Sequence, residues 1–156
     1  MDNNDIFRRL RYTLNYNDKQ MAEVFAETGT AIKQESVTLW LKKHEDPAHL
    51  AMSDVMMATF LNGLINKLRG KKEGAQPAPE KELNNNIIFR KLRIAFNLQS
   101  DDILELYTSI EKSISPHELS AFFRKPGSSK YRECNDQYLR YFLSGLQKKY
   151  EDERVS

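Results

Sequence analysis

The sequence predicts an all-α protein made of two homologous four-helix units in tandem, packed with pseudo-two-fold symmetry. Three observations predict it. Sliding the 156-residue chain along itself aligns Asn3 with Asn85 through Leu68 with Tyr150 without a gap, and 17 of these 66 pairs are identical. Apolar residues in each half recur at spacings of three and four, the period of a helix with one buried face. The breaks between those stretches carry Asn, Ser, Asp and Pro where helix caps are expected. The expected organisation is a first unit over 1–69, a linker over 70–83, a second unit over 84–150 and a tail over 151–156. Units of this size bury only roughly 60% of their unfolded surface and are marginal alone, so the halves are expected to pack on each other.

The first helix of each copy is expected to open after Asn3 or Asn85 as its cap. It places Ile6, Phe7, Leu10 and Leu14 within an arc of about 100°, and Ile88, Phe89, Leu92 and Phe96 in the second copy. Its opposite side carries Arg8, Arg9 and Arg11, or Arg90, Lys91 and Arg93, which reads first as a solvated face. The second helix follows a polar break, with Asp18 or Ser100 as cap. It buries Met21, Val24 and Phe25, or Ile103, Leu106 and Tyr107. Asp101, Asp102 and Glu105 lie near its start in the second copy. Carboxylates there are favoured by about 0.3–1 kcal/mol each, so they need no metal. The third helix is marked by Ser115, Pro116 and Glu118, a capping box with proline at the first helical position. Leu119, Phe122 and Phe123 form its stripe, matched by Val37, Trp40 and Leu41, while Lys33 replaces the capping serine and predicts a less defined start.

The fourth helix opens at Asp54 or Asp136 behind Ser53 or Asn135. Met52 or Cys134 precedes the cap, where an apolar residue staples onto Met57 or Leu139. Cys134 is thus expected to be a packed residue and not a reactive thiol. Phe60, Leu61, Leu64 and Leu68 continue the stripe, as do Phe142, Leu143, Leu146 and Tyr150. Gly63 and Gly145 fall inside it. An interior glycine costs about 1 kcal/mol relative to alanine, so its recurrence predicts the close approach of another helix. Gly70 to Glu82, rich in Gly, Pro and charge, reads as a partly extended linker. The tail after Tyr150 is expected to fray.

Composition narrows the function. With 40% hydrophobic and 29% charged residues, the chain is too apolar for disorder and too interrupted for a membrane span. The N-terminus MDNND has no signal-peptide pattern, and one cysteine fits a reducing compartment, so a cytoplasmic protein is expected. Net charge is +2. Residues 1–70 carry nine Lys/Arg and nine Asp/Glu, and residues 84–156 carry twelve and ten. Any nucleic-acid binding must therefore come from local patches.

The repeated NNxI-F-R-x-LR opening, the FLNGL run at Phe60 to Leu64 and the run from Phe123 to Leu143 resemble the YehS-like family of bacterial proteins of unknown function. The resemblance covers essentially the whole chain. Asn135 departs from it, standing where that family has glycine; both residues suit a cap. The resemblance implies a duplicated, all-helical, bacterial cytoplasmic protein and brings no activity, substrate or catalytic residue.

Enzyme signatures are absent. There is no glycine-rich phosphate loop, no G-x-S-x-G, no H-E-x-x-H and no cysteine pair. His44, His49 and His117 do not recur between copies and read as surface histidines. The expectation is a non-enzymatic binding or regulatory protein without catalytic residue, metal or cofactor. Nucleic acid is the first expected partner. MAEVFAETG followed by VTLWLKK resembles a helix-turn-helix, with Gly29 at the turn, although the connection is longer than the usual turn of about 3–4 residues and Glu111 replaces the glycine in the second copy. A second candidate patch is Arg124, Lys125, Lys130, Tyr131 and Arg132, whose cations would meet phosphates while Tyr131 stacks on a base. Arg90, Lys91 and Arg93 would extend it. A protein partner is the alternative, held in a seam between the units, with Tyr12, Tyr138 and Tyr141 as candidate exposed aromatics. An unrecognised small-molecule sensor or enzyme is the remaining one.

Overall fold

The computed structural model of the chain describes residues 1–155. Among the described residues there are eight helices: α1 (Asn3–Leu14), α2 (Asp18–Ala26), α3 (Gln34–Leu41), α4 (Asp54–Arg69), α5 (Asn85–Ala95), α6 (Ser100–Ser109), α7 (Pro116–Phe122) and α8 (Asp136–Val155). No strand occurs among the described residues. The chain divides into two units, Met1–Leu83 and Asn84–Ser156, and each repeats the same four-helix order. The tandem all-α organisation read from the repeat is the one observed.

In the first unit the helices close around Phe7, which is fully buried. Its ring meets Phe60 edge-on at 4.8 Å and Trp40 at 6.3 Å between centroids. Such pairs contribute about 0.5–1.5 kcal/mol beyond burial. The second unit keeps Phe89 and Phe142 at the same places, stacked at 4.2 Å. Tyr107 replaces Phe25 and is also fully buried. Its hydroxyl donates to the Tyr138 carbonyl at 2.6 Å, so the added polar atom is satisfied, and burial pushes its phenol pKa upward.

The recurring glycines mark a close helix crossing in both units. A methyl group on Gly63 would lie 2.1 Å from the Val24 carbonyl oxygen, and one on Gly145 would lie 2.5 Å from that of Leu106. Val24 and Leu106 are themselves equivalent positions in the repeat, on α2 and α6. Glycine is required there because backbone meets backbone.

Several helix starts differ from expectation by one residue. The N-caps of α1 and α5 are Asp2 and Asn84, not Asn3 and Asn85. Those of α2 and α6 are Asn17 and Gln99, not Asp18 and Ser100. Displaced from the cap, Asn3 and Asn85 reach forward instead. The Asn3 amide donates to Met52 O at 3.1 Å and Asp54 Oδ1 at 2.7 Å, and the Asn85 amide to Cys134 O and Asp136 Oδ1. The capping box of α7 forms as the sequence indicates, with Glu118 N–H on Ser115 Oγ and Ser115 N–H on Glu118 Oε1. Lys33 gives α3 no side-chain cap.

The tail is helical through Val155, where fraying was expected, and Ser156 lies outside the described residues. Lys148 reaches Asp152 at 3.3 Å and Gln147 reaches Glu151 at 3.0 Å, pairs one turn apart that stabilise an exposed helix end. Residues 70–83 form no helix. Within that stretch Gln76 accepts from the Asn66 amide at 2.7 Å and the Leu83 N–H donates to Asp54 Oδ2. No helix among the described residues is long and apolar enough to cross a membrane.

Candidate nucleic-acid interface

The loops joining the third and fourth helices are hung on one buried asparagine each. In the first unit Asn4 Nδ2 donates to Trp40 O at 2.9 Å and Leu50 O at 2.8 Å, and Asn4 Oδ1 accepts the Met52 N–H at 2.9 Å. In the second unit Asn86 does the same to Phe122 O, Arg132 O and the Cys134 N–H, at 3.0, 2.9 and 2.9 Å. A buried amide left without these partners would cost about 1–3 kcal/mol per group. This clamp was missed in the sequence, although the NN pair recurring at the head of both copies was its signal.

With its ends pinned, the loop from Phe123 to Asn135 turns its cations outward. Arg124, Lys130 and Arg132, together with His117, Glu118, Ser120, Ala121 and Ser129, line a shallow open depression of about 500 Å³. Three of the expected cations are therefore brought together. Arg124, Lys125 and Lys130 are exposed and form no ion pair among the described residues. Arg132 is partly committed: one guanidinium nitrogen donates to Ser129 O and Tyr131 O. An arginine has five N–H donors, so the others remain.

One carboxylate shares the depression. Glu118 accepts from the Tyr138 hydroxyl at 2.8 Å. That bond, with those from Ser115, holds its carboxyl below the ordinary value. The lining thus carries three fixed positive charges against one negative.

The rest of the expected patch is not assembled there. Lys91 is buried, with 9% of its surface exposed, and does not belong to a solvated basic face. The stem of a lysine is apolar enough to be covered by neighbouring helices. Arg93 stacks on Phe123 at 4.8 Å and donates from Nε to Leu98 O, so its cation serves the fold. Arg90 is exposed but outside the depression, as is Lys125, and Tyr131 is half-buried outside it. His117, Ser120 and Ser129 join the lining without a sequence signal beyond their polarity.

The helix-turn-helix resemblance is not carried into the structure. Seven residues, 27–33, separate α2 from α3, against about 3–4 in that motif. Gly29 does take a left-handed conformation (φ +80°), and Glu111 takes it too (φ +60°) at the equivalent place. Tyr138 and Tyr141 pack within the second unit, 6.3 and 6.4 Å from Tyr107. Tyr12 alone of the three stands well exposed, at 62%.

Cys134 is 4% exposed. Burial, with the nearby Asp136 charge, pushes its thiol up to about 12, so it is a neutral, packed group at neutral pH. In the first unit Asp2, Asp5 and His44 bring ligand-capable atoms within 4.8 Å of one another. Each has a structural use. Asp2 and Asp5 close the capping box of α1, Asp5 pairs with Arg8, and His44 Nε2 lies 2.7 Å from Asp2 Oδ2. The Arg8 cation and the helix N-terminus both oppose a metal ion there.

Comparison with known proteins agrees with the duplication. The family model described as "Protein of unknown function (DUF1456)" matches twice, over residues 3–70 and 85–151. The "Uncharacterized protein YehS" of Escherichia coli (strain K12) is 43% identical over 148 residues, 94% of each chain. No solved structure matches. The chain belongs to the DUF1456 family and carries its domain in two successive copies.

Proposed function

We propose that this protein is a non-enzymatic binding or regulatory protein of the cytoplasm that contacts nucleic acid through its second unit. The observation that carries the reading is the convergence of Arg124, Lys130 and Arg132 on one open depression, the first two without an ion-pair partner. Unpaired cations on an exposed loop attract phosphates at no cost in broken salt bridges, and hydroxyls such as those of Ser120 and Ser129 complete a typical phosphate contact set. The chain as a whole is near neutral, which makes the contact local and moderate in strength.

The test is binding of fluorescent DNA and RNA oligonucleotides to the full chain. Reversing Arg124, Lys125, Lys130 and Arg132 to glutamate is expected to weaken binding by about 100-fold or more. Affinity of the unaltered chain is expected to fall steeply with salt, because binding releases counterions. Binding indifferent to both changes contradicts the proposal.

One observation favours a protein partner as a second reading. Tyr12 and Ile94 are equivalent positions on α1 and α5, and both are large and exposed, at 62% and 46%. Recovery of a stoichiometric partner from nuclease-treated lysate, lost on Tyr12→Asp and Ile94→Asp, would support it; recovery of nothing counts against it.

A further inference from the structure

We infer that the depression in the second unit grips the sugar-phosphate backbone of a nucleic-acid strand and leaves its bases unread. This rests on the nucleic-acid reading above and specifies what that site recognises. What the lining can donate, accept and stack sets what it can recognise.

Sequence is read by groups that match the donor and acceptor pattern of base edges, or by rings that stack on unpaired bases. Among the described lining residues there is no asparagine or glutamine. Glu118 could accept from a base amino group, yet it already accepts from the Tyr138 hydroxyl and from the Ser115 N–H. Arg132 has Nη1 committed to two carbonyls, which removes one of its two forked edges and leaves the Nε–H and Nη2–H edge. With Arg124 it is the group among the described lining residues that could fork onto a guanine, a use that Arg124→Lys separates from phosphate contact because lysine keeps the charge without the fork. What remains is Arg124, Lys130, the outstanding Arg132 donors and the Ser120 and Ser129 hydroxyls. These are charges and donors suited to phosphate oxygens, which every nucleotide presents alike.

Stacking platforms are equally scarce. Tyr131, the ring that the sequence offered for a base, is half-buried and outside the lining. Tyr138 is held by its hydroxyl on Glu118, with its ring 5.7 Å from Phe122. His117 supplies the single ring among the described lining residues, and the test addresses it directly.

The experiment compares two labelled strands of about a dozen nucleotides, within the span that small binding sites cover. One has mixed sequence and the other is abasic throughout, and both are titrated with the full chain by fluorescence anisotropy. The abasic strand is expected to bind within about threefold of the mixed strand, since the charges neutralised are the same. Both are expected to show a slope of log K on log salt of about −2, three cations at roughly 0.7 each on single strands. Arg124→Lys, which keeps the charge and loses the fork, is expected to change affinity by less than about threefold, and His117→Ala is expected to leave the ratio between the strands unchanged. An abasic strand weaker by about tenfold or more, the loss expected from removing one stacked base, overturns the inference. So does a His117→Ala variant that weakens the mixed strand alone. Absence of binding to either strand overturns the nucleic-acid reading itself, and is distinguished from the other outcomes because it needs no comparison.

Discussion

The loop that joins α3 to α4 and the loop that joins α7 to α8 are suspended from the same three hydrogen bonds, yet they present different chemistry. In the first unit Lys42, His44 and His49 turn to structural use. Lys42 lies 3.7 Å from Asp46, His49 Nδ1 meets Lys42 O at 2.8 Å, Arg8 donates to that same carbonyl, and His44 pairs with Asp2. In the second unit Pro126, Tyr131 and Arg132 stand where His44, His49 and Leu50 stood, and Arg124 and Lys130 are left unpaired. The comparison separates what the fold requires from what it permits. The asparagine clamp and the glycine crossing recur because backbone groups depend on them. Arg124 and Lys130 in the second unit hold nothing together, so they are free to meet a ligand.

The shared frame can be broken first. Asn4→Ala or Asn86→Ala removes partners from one buried carbonyl, one half-buried carbonyl and one buried N–H, and each variant is expected to destabilise its own unit by about 3 kcal/mol. Hydrogen exchange followed unit by unit checks this, and a loss confined to one of the two variants would show that the clamps are not equivalent. The difference between the loops comes next. Arg124→Glu with Lys130→Glu is expected to weaken oligonucleotide binding by about 30-fold, whereas Lys42→Glu with Lys43→Glu in the first-unit loop, at the places of Arg124 and Lys125, changes it by less than about threefold; anisotropy reads both. Equal losses would erase the proposed asymmetry.

Smaller effects sharpen the comparison. Gly63→Ala places a methyl 2.1 Å from a carbonyl oxygen and Gly145→Ala places one at 2.5 Å. Both are expected to destabilise, by about 1–3 kcal/mol, with Gly63→Ala the worse in urea denaturation. The smallest effect is electrostatic. Burial alone would raise the Asp2 carboxyl, but the Asp5 N–H and His44 outweigh it and bring its pKa below the ordinary value. A depressed carboxylate stabilises above the unfolded value near about 3.9, and that contribution is lost as pH falls through the folded value. Asp2→Asn is therefore expected to cost under about 1 kcal/mol at pH 7, the pair being 57% and 42% exposed, and to cost nothing once acid has protonated Asp2. Paired thermal melts at neutral and acid pH measure it.

Much of the frame was legible because it is local or repeated. The stripe residues Phe7, Leu10, Phe89 and Leu92 are fully buried, and Ser115, Pro116 and Glu118 announce a cap within four residues. Gly63 and Gly145 were readable because duplication repeats a costly residue. The errors arose where a local signal was degenerate. Asp2, Asn3 and Asn4 are all plausible caps, and only the distant Met52 and Leu50 backbone decides which side chain is drawn elsewhere. Helical angle alone sets Lys91 on a solvated face and cannot register its burial in the folded unit. The end of α8 was read as a tail because apolar periodicity stops at Tyr150, whereas charge pairs one turn apart carry the helix on. In the candidate site, sequence proximity identified Arg124, Lys130 and Arg132, and could not exclude Tyr131, whose burial depends on the folded loop.

The central claim is that nucleic acid is held by one loop and not by its repeat. Backbone amide shifts of the isotopically labelled full chain, followed by NMR during titration with an oligonucleotide, test it most directly. The account predicts that the largest shifts fall in residues 124–132 and that residues 42–50 stay nearly unmoved. Comparable shifts in both loops, or shifts confined to surfaces outside residues 117–132, would contradict it.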